Sequence, residues 1–426
     1  LPASLRFQRW IAAFSKHSNL REVQIVPRPN VDIPASFPNP DKIIAIVSSL
    51  CAHSSVSGTE GKIGDWVASE MARIGLAVTR QEVLPGRANI IGTLETGRLG
   101  PTLLFNGHID TLPVPEGYSH PPFEPFVANG RLYGAEINNM KGAVGAMIAA
   151  MEILHDRRDR LCGRIILSAV MAECDTLGLG TLHLIESGLS ADLAINGEPT
   201  DLRVMTCHVG VTQIRMKASG VSVHVCRKAE GPNAIHALIP ALAAIGEHCL
   251  SYVPHQDFPD LPNLNIGQVS GGTLASMHAD RAEALVDVRT VPGMTPESVL
   301  ADIRAAVEKA GAATTNGSSV TAELIARPDF CQQHPFHVER GEPVVRAVAE
   351  AHRELAGAEP YIGPLYPQVY FGTDASHLGR AGIPTVIYGP GKVEEINVAD
   401  ESMALLDLMT AAQVYARAAA KICGRQ

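Results

Sequence analysis

Apolar residues recur at helical spacing over residues 41–53 and 61–74, which predicts two amphipathic helices. Residues 77–82 and 89–94 read as strands. The apolar run PTLLF at 101–105 stops at Asn106-Gly107, the pattern of a buried strand that ends in a functional loop. A helix, small and apolar along one face, is predicted over 140–155, and further buried strands over 164–171 (RIILSAVM) and 192–196 (DLAIN). Strands alternating with helices in this way predict an α/β unit whose mostly parallel sheet is covered on both faces.

The pattern changes after Gly210. Residues 211–218 alternate apolar and polar, as a half-exposed strand does. A helix over 233–249, strands over 264–269 and 284–289, a helix over 296–309 and a strand over 319–325 follow. That β-α-β-β-α-β order is the ferredoxin-like, split βαβ arrangement. Beyond Arg327 a helix over 343–355, a strand over 385–388 and a final helix over 402–422 resume the first pattern. The expected layout is an arm over 1–39 carrying a short helix, a large unit built from 40–211 and 328–426, and a smaller unit, 212–327, inserted in it.

Composition narrows the classes. Of the 426 residues 46% are hydrophobic and 19% charged, so the chain is globular and long enough to build its core without staples. The net charge of -9 argues against nucleic acid or an anionic membrane as partner. No stretch approaches the ~18 apolar residues of a spanning helix, and the N-terminal segment lacks the apolar core of a signal peptide. Eight scattered cysteines without a CxxC pair suit free thiols in a cytoplasmic protein.

Ligands bind at strand ends in open α/β sheets, and four such ends carry polar clusters. His108 and Asp110 follow the first buried strand; they read equally as a metal ligand with its orienting neighbour or as a capped turn. Asn139 stands at the entry of the long helix, where capping is the ordinary role. Glu173, Cys174 and Asp175 follow RIILSAVM, either as metal or proton chemistry or as a solvated loop. Glu198 sits in a Gly-Glu-Pro turn after DLAIN, a position that favours a ligand.

Several ordered segments together resemble the metallopeptidases and deacylases related to acetylornithine deacetylase, succinyl-diaminopimelate desuccinylase and bacterial carboxypeptidase G. They are GHIDTLPV at 107–114, MKG at 140–142, GEPT at 197–200, and His224 with GPNAI at 231–235. DVRTVPG at 287–293, GTDASHL at 372–378 and AGIPTVIYGPG at 381–391 complete the set, so the resemblance covers about residues 40–420. It implies a catalytic domain interrupted by a lid or dimerisation domain, a small-molecule substrate, and a homo-oligomer formed through the lid.

The resemblance also implies a site for two divalent ions, but this chain departs from it. His108 and Glu198 match the first ion's ligands. Asn139 stands in place of the bridging Asp, Cys174 in place of the general base, Asp175 at the adjacent ligand position, and Asn397 in place of a second-ion His. A neutral Asn supplies no charge to hold two cations ~3.5–4 Å apart, so one divalent ion per chain is expected: Mn²⁺, Zn²⁺ or Fe²⁺. His108, Glu198, Asn139 and Asp175 are its candidate ligands. Cys174 at the base position is a poor stand-in for a carboxylate, so Glu173 or Asp175 is expected to take that role, Asp175 foremost as ligand or base, with Asp110 beside them. His224 would stabilise charge in a neighbouring subunit's site, and Asn265 and Arg289 would hold substrate, Arg289 being equally readable as a structural ion pair. His377 reads as a replacement ligand, a substrate contact or a packed residue.

These expectations imply a metal-dependent hydrolase acting on a C–N bond of a small carboxylate. An outlier of the family hydrolyses the amine of 5-nitroanthranilate, a chemistry that suits a single ion. An ordinary aminoacylase, carbamoylase or dipeptidase, or a non-catalytic binding protein on the same scaffold, are the alternatives.

Overall fold

The computed structural model describes residues 31–227, 231–258, 260–315, 317–325 and 331–425. The expected arm therefore lies outside the described residues over 1–30. Its last part is laid on the C-terminal helix, where Gln413 donates to the Pro34 carbonyl at 3.3 Å and Arg417 to that of Ile33 at 3.1 Å.

The elements of the larger unit begin with helices α1 (Pro40–Cys51) and α2 (Gly61–Ile74). Asn39 caps α1 by accepting the Asp41 N–H at 2.9 Å, and Pro40 opens it. Strands β1 (Ala77–Leu84), β2 (Arg87–Glu95) and β3 (Thr102–His108) follow, then α3 (Gly142–Asp156), β4 (Arg164–Val170), α4 (Leu179–Glu186), β5 (Leu193–Asn196) and β6 (Val204–Met205). The chain next builds β7 (Gly210–Ser219), α5 (Ala234–Ala244), β8 (Asn263–Gly271), β9 (Arg281–Thr290), α6 (Pro296–Lys309) and β10 (Ser318–Leu324). It closes with α7 (Pro343–Ala356), β11 (Ile362–Gly363), α8 (Ala375–Arg380), β12 (Thr385–Ile387) and α9 (Leu405–Cys423).

The large sheet runs β1-β2-β4-β3-β5-β12-β6-β11. Its centre, β4-β3-β5-β12, is parallel; β1, β2 and the β12–β6 contact are antiparallel. Both faces of the centre are covered. Leu103, Phe105, Ile165, Leu167 and Ile195 join one core with α1, α3, α7 and α9, while Leu104, Ile166 and Ala194 join the other with Leu184 and Leu378. Continuous apolar runs rather than alternation are the consequence. Helix α3 is buried nearly all round because it is built of small residues, and a Cβ on Gly145 would stand 2.5 Å from Val47 of α1.

The second sheet is antiparallel, ordered β8-β9-β7-β10, with a two-residue strand beyond β10. With α5 and α6 this is the expected split βαβ order. Inward residues Ile214, Met216 and Ala218 alternate with outward Gln213, Arg215 and Lys217, and the inward set joins a core of its own.

Three boundaries differ from expectation. Residues 137–141 form an irregular turn and the helix starts at Gly142, because Glu401 takes the N–H groups of Glu136 and Asn138 at 3.2 and 2.7 Å. Residues 402–404 pair as a strand with Arg131–Tyr133 before α9 begins. Helix α5 stops at Ala244, just before Gly246. Helices α4 and α8 were not anticipated; both are short and carry little periodicity.

Candidate active site

Three neighbouring parallel strands deliver the site at their carboxyl ends. Asn106, Ser168, Thr181 and Asn196 lock them just beneath it: Asn106 donates to Ser168 at 3.1 Å and Thr181 at 3.0 Å, and Asn196 donates to Asn106 Oδ1 at 3.0 Å. His108 ends β3, Glu173 and Cys174 lie three and four residues past β4, and Glu198 lies two past β5.

His108 is buried, and its Nδ1 donates to the Asp110 carbonyl at 2.8 Å. Nε2 therefore carries the lone pair and faces outward. Around it stand Asn139 Oδ1 at 3.2 Å, Glu198 Oε1 at 3.8 Å and Glu173 Oε2 at 4.0 Å. Burial, with a contribution from Glu173, pushes the Glu198 carboxyl up to about 8. Burial also lifts Glu173 well above the usual range, helped by Asp374 and Asp110. Burial alone would lower His108, yet Glu198, Asp110 and Asp374 outweigh it and raise the imidazole. Buried acids crowding one imidazole are the environment that a cation relieves. His108, Glu198 and Asn139 could hold a divalent ion with Glu173 beside it, and the donor set fits one.

Asp110, Cys174 and His108 also bring ligand-capable atoms within 4.8 Å of one another. The chemistry disfavours that trio. Asp110 already accepts the Ser57 hydroxyl at 2.7 Å and the N–H groups of Glu173 and Cys174 at 2.9 and 3.0 Å. Burial keeps Cys174 a thiol, and its Sγ lies 3.7 Å from the Asp110 carbonyl. Asp110 thus organises the Glu173–Cys174 turn instead of facing the reacting side.

A cleft of about 240 Å³ opens over these groups, lined among others by Leu112, Asn139, Glu173, Cys174, Glu198, Gln213 and Arg289. Its far wall comes from the outward face of the second sheet. Arg289 donates from Nε to Asp287 at 2.7 Å and from one terminal nitrogen to the Tyr370 carbonyl at 3.1 Å. Its fork keeps further N–H groups for a ligand. A larger hollow of about 640 Å³ along the outer face of the second sheet, by Lys217 and Glu283, includes none of the groups around His108.

The remaining expected site residues lie elsewhere. Asp175, expected as ligand or base, turns away and pairs with Arg87 at 3.3 Å, its side chain 38% exposed, because Arg87 is already fixed on Glu60 and draws it outward. Glu173, and not Asp175, stands by His108, with Oε2 at 4.0 Å from Nε2. His377 is packed under α4, with Nε2 donating to the Leu177 carbonyl at 2.7 Å, and does not line the cleft. His224 is exposed on the inserted unit, where its Nδ1 accepts the Cys226 N–H at 3.2 Å. Asn265 is exposed on edge strand β8, opposite Asp287, outside the cleft lining. Asn397 borders a small recess with Asn139, Glu136 and Glu401.

Sequence reasoning missed Glu401 and Glu136 in the frame of Asn139, while Lys141 reads from the sequence as capping or pairing locally and does pair. Lys141 pairs with Glu136 and donates to the His53 carbonyl at 2.6 Å, and Thr111 also donates to Glu136. Glu136 five residues before Lys141 was the available signal for that pair, while Glu401 lies far along the chain and gave none. His208 is buried; it donates from Nδ1 to the Val209 carbonyl at 2.7 Å and accepts the Thr373 N–H.

Comparison with known proteins agrees with this architecture. The chain is 26% identical over 401 residues to the N-formyl-4-amino-5-aminomethyl-2-methylpyrimidine deformylase of Bacillus subtilis, covering 87% of this chain and 92% of that one. It is 25% identical over 403 residues to the acetylornithine deacetylase of Vibrio cholerae, covering 89% and 98%. Its fold superposes on aminopeptidase PepT of Bacillus cereus with a TM-score of 0.72 at 19% identity, covering 90% and 99%. An M20 family metallo-carboxypeptidase of Sulfolobus solfataricus gives 0.71 at 16%, covering 90% and 99%. The model of peptidase family M20/M25/M40 matches residues 104–421, most of the chain, and the chain belongs to that family of metal-dependent hydrolases.

Proposed function

We propose that this chain hydrolyses a C–N bond of a small carboxylate-bearing molecule with one divalent ion, held by His108 and Glu198 with Asn139, and that its substrate is 5-nitroanthranilate. The observation that carries the reading is the ring of His108 Nε2, Asn139, Glu198 and Glu173 beneath a cleft of about 240 Å³. When bound, such an ion brings the pKa of a water to near ~7. With Asn139 neutral and Asn397 out on the rim, the charge to hold a second ion is lacking, and so is a clamp on both attacking and departing atoms.

Glu173 takes a proton from the attacking water as the new C–O bond forms at the ring carbon that bears the amine. Negative charge moves into the ring and its nitro group, so the substrate itself stabilises what a second cation stabilises for a peptide. Glu173 then returns the proton to nitrogen, the C–N bond breaks, and 5-nitrosalicylate and ammonia leave. Burial raises Glu173, which suits a carboxyl that carries a proton between water and amine. Arg289 at the far wall meets the substrate carboxylate through its unused N–H groups. The cleft is below the ~300–1,000 Å³ of sites for drug-sized ligands, which suits a single ring.

A second reading, hydrolysis of an N-acyl or N-formyl amide, is favoured by the deformylase and deacetylase relatives. The purified chain reconstituted with Mn²⁺ or Zn²⁺ is offered 5-nitroanthranilate and a panel of N-acyl amino acids. Ammonia from the first alone supports the deamination. Turnover of acyl substrates alone establishes the amidohydrolase in its place, and binding without turnover of either establishes a binding protein.

We further propose that residues 212–327 act as a lid and pairing unit in a cytoplasmic homo-oligomer. Ile235 and Ile239 are exposed on α5, and Ile266 and Val269 on edge strand β8, apolar surface suited to a second copy. No helix among the described residues is long and apolar enough to cross a membrane, and no disulfide joins any of the cysteines among them.

A further inference from the structure

Away from the cleft, His255, Asp257 and His337 bring ligand-capable atoms within 4.8 Å of one another. We propose that they form a second divalent-cation site that ties the inserted unit to the larger one. His255 and Asp257 lie between α5 and β8, beside Phe258 of the second sheet's core. His337 lies in the strand Phe336–His337, which returns to pair with Cys207–His208, and Phe336 belongs to the core of the large sheet. A cation here would bridge two segments far apart in the chain and anchored in different cores.

The arrangement is that of a built site. Asp257 is 7% exposed, and its backbone carbonyl accepts the Tyr366 hydroxyl at 3.2 Å. His337 places Nε2 at 3.4 Å from Asp257 Oδ2 and Nδ1 at 3.9 Å from Glu339 Oε1. The His255 and His337 rings face each other edge-on, with centroids 5.3 Å apart. His255 Nδ1 accepts the Asp257 N–H at 3.2 Å. A neutral imidazole has one lone pair, so ligation requires giving up that long, weak bond. Arg340 stands 3.8 Å from the other Asp257 oxygen, Oδ1, and leaves Oδ2 for the cation.

Two imidazoles and one carboxylate select Zn²⁺, Co²⁺ or Ni²⁺ over Mg²⁺ and Ca²⁺. The site is independent of the centre at His108, and either can fail without the other.

The untagged full chain is titrated with Zn²⁺ by calorimetry, with bound metal counted after desalting. The expected result is uptake at two independent places. The His255→Ala/His337→Ala chain loses one and keeps the other, while His108→Ala loses the opposite one. His337→Gln, at a ring 28% exposed, keeps the fold testable and weakens the second uptake at least ~10-fold. Co²⁺ bound to His108→Ala gives visible absorption that the further change His337→Gln removes. Equal Zn²⁺ uptake by wild type and His337→Gln overturns the site, as does Mg²⁺ competing on a par with Zn²⁺.

Discussion

Asp110 accepts the backbone N–H of Glu173 at 2.9 Å, so a carboxylate that does not face the reacting side fixes the position of one that does. The same carboxylate takes the Cys174 N–H and the Ser57 hydroxyl. Asp110→Ala leaves these donors without their charged acceptor, at a cost of about 1.5–3 kcal/mol. Turnover is expected to fall ~10–100-fold with KM little changed, because the loop moves and the binding wall does not. Steady-state kinetics with denaturant unfolding checks both numbers.

Glu173 and Asp175 are two residues apart and are expected to behave oppositely. Glu173→Gln, with its shape kept and its proton shuttle gone, should lose ~10²–10⁴ in kcat while metal uptake through His108 and Glu198 persists. Asp175→Ala breaks only a half-exposed pair with Arg87, so turnover should stay near wild type and stability within about 1 kcal/mol. A loss of activity in Asp175→Ala equal to that in Glu173→Gln would reverse the assignment.

Lys141 is buried against Glu136 and supports the turn that presents Asn139. Lys141→Met leaves Glu136 buried without its partner and should cost about 3–5 kcal/mol. Adding Glu136→Gln should recover part of that loss, since both charges are then gone. Urea unfolding of the two single variants and the double closes the cycle.

His208 gives the fold an acid-sensitive limb. Burial pushes its ring down to about 4 from the ordinary 6.5. Above pH 6.5 neither state binds the proton. Between pH 6.5 and about 4 the unfolded chain binds a proton that the folded ring refuses, so stability falls as pH falls. The ring's share of the loss reaches about 3 kcal/mol near pH 4 and grows no further below it. His208→Gln should flatten this part of the curve when unfolding free energy is measured across that range.

The architecture was legible because it rests on short-range patterns. PTLLF, RIILSAVM and DLAIN are apolar without alternation, as strands covered on both faces must be, and 211–218 alternates because one face of its sheet meets water. The placement of His108 and Glu198 at strand ends was legible as well, since each lies at or just past the end of a buried strand that fixes its position. The Glu173–Asp175 turn was not. Which of three adjacent polar residues faces inward depends on Arg87, which is fixed on Glu60 from another strand and draws Asp175 outward.

The sequence by itself determined the two sheets, the family and the strand ends at which chemistry gathers, because burial and hydrogen-bond periodicity are written locally. Only the tertiary structure decided that Asp110 braces a turn, that His377 is packed and that Glu401 shapes the Asn139 turn from 263 residues beyond Asn138. It likewise decided that His255 and Asp257 meet His337. Each of these depends on the direction of a side chain and on partners distant in the chain, which spacing along one strand or helix does not encode.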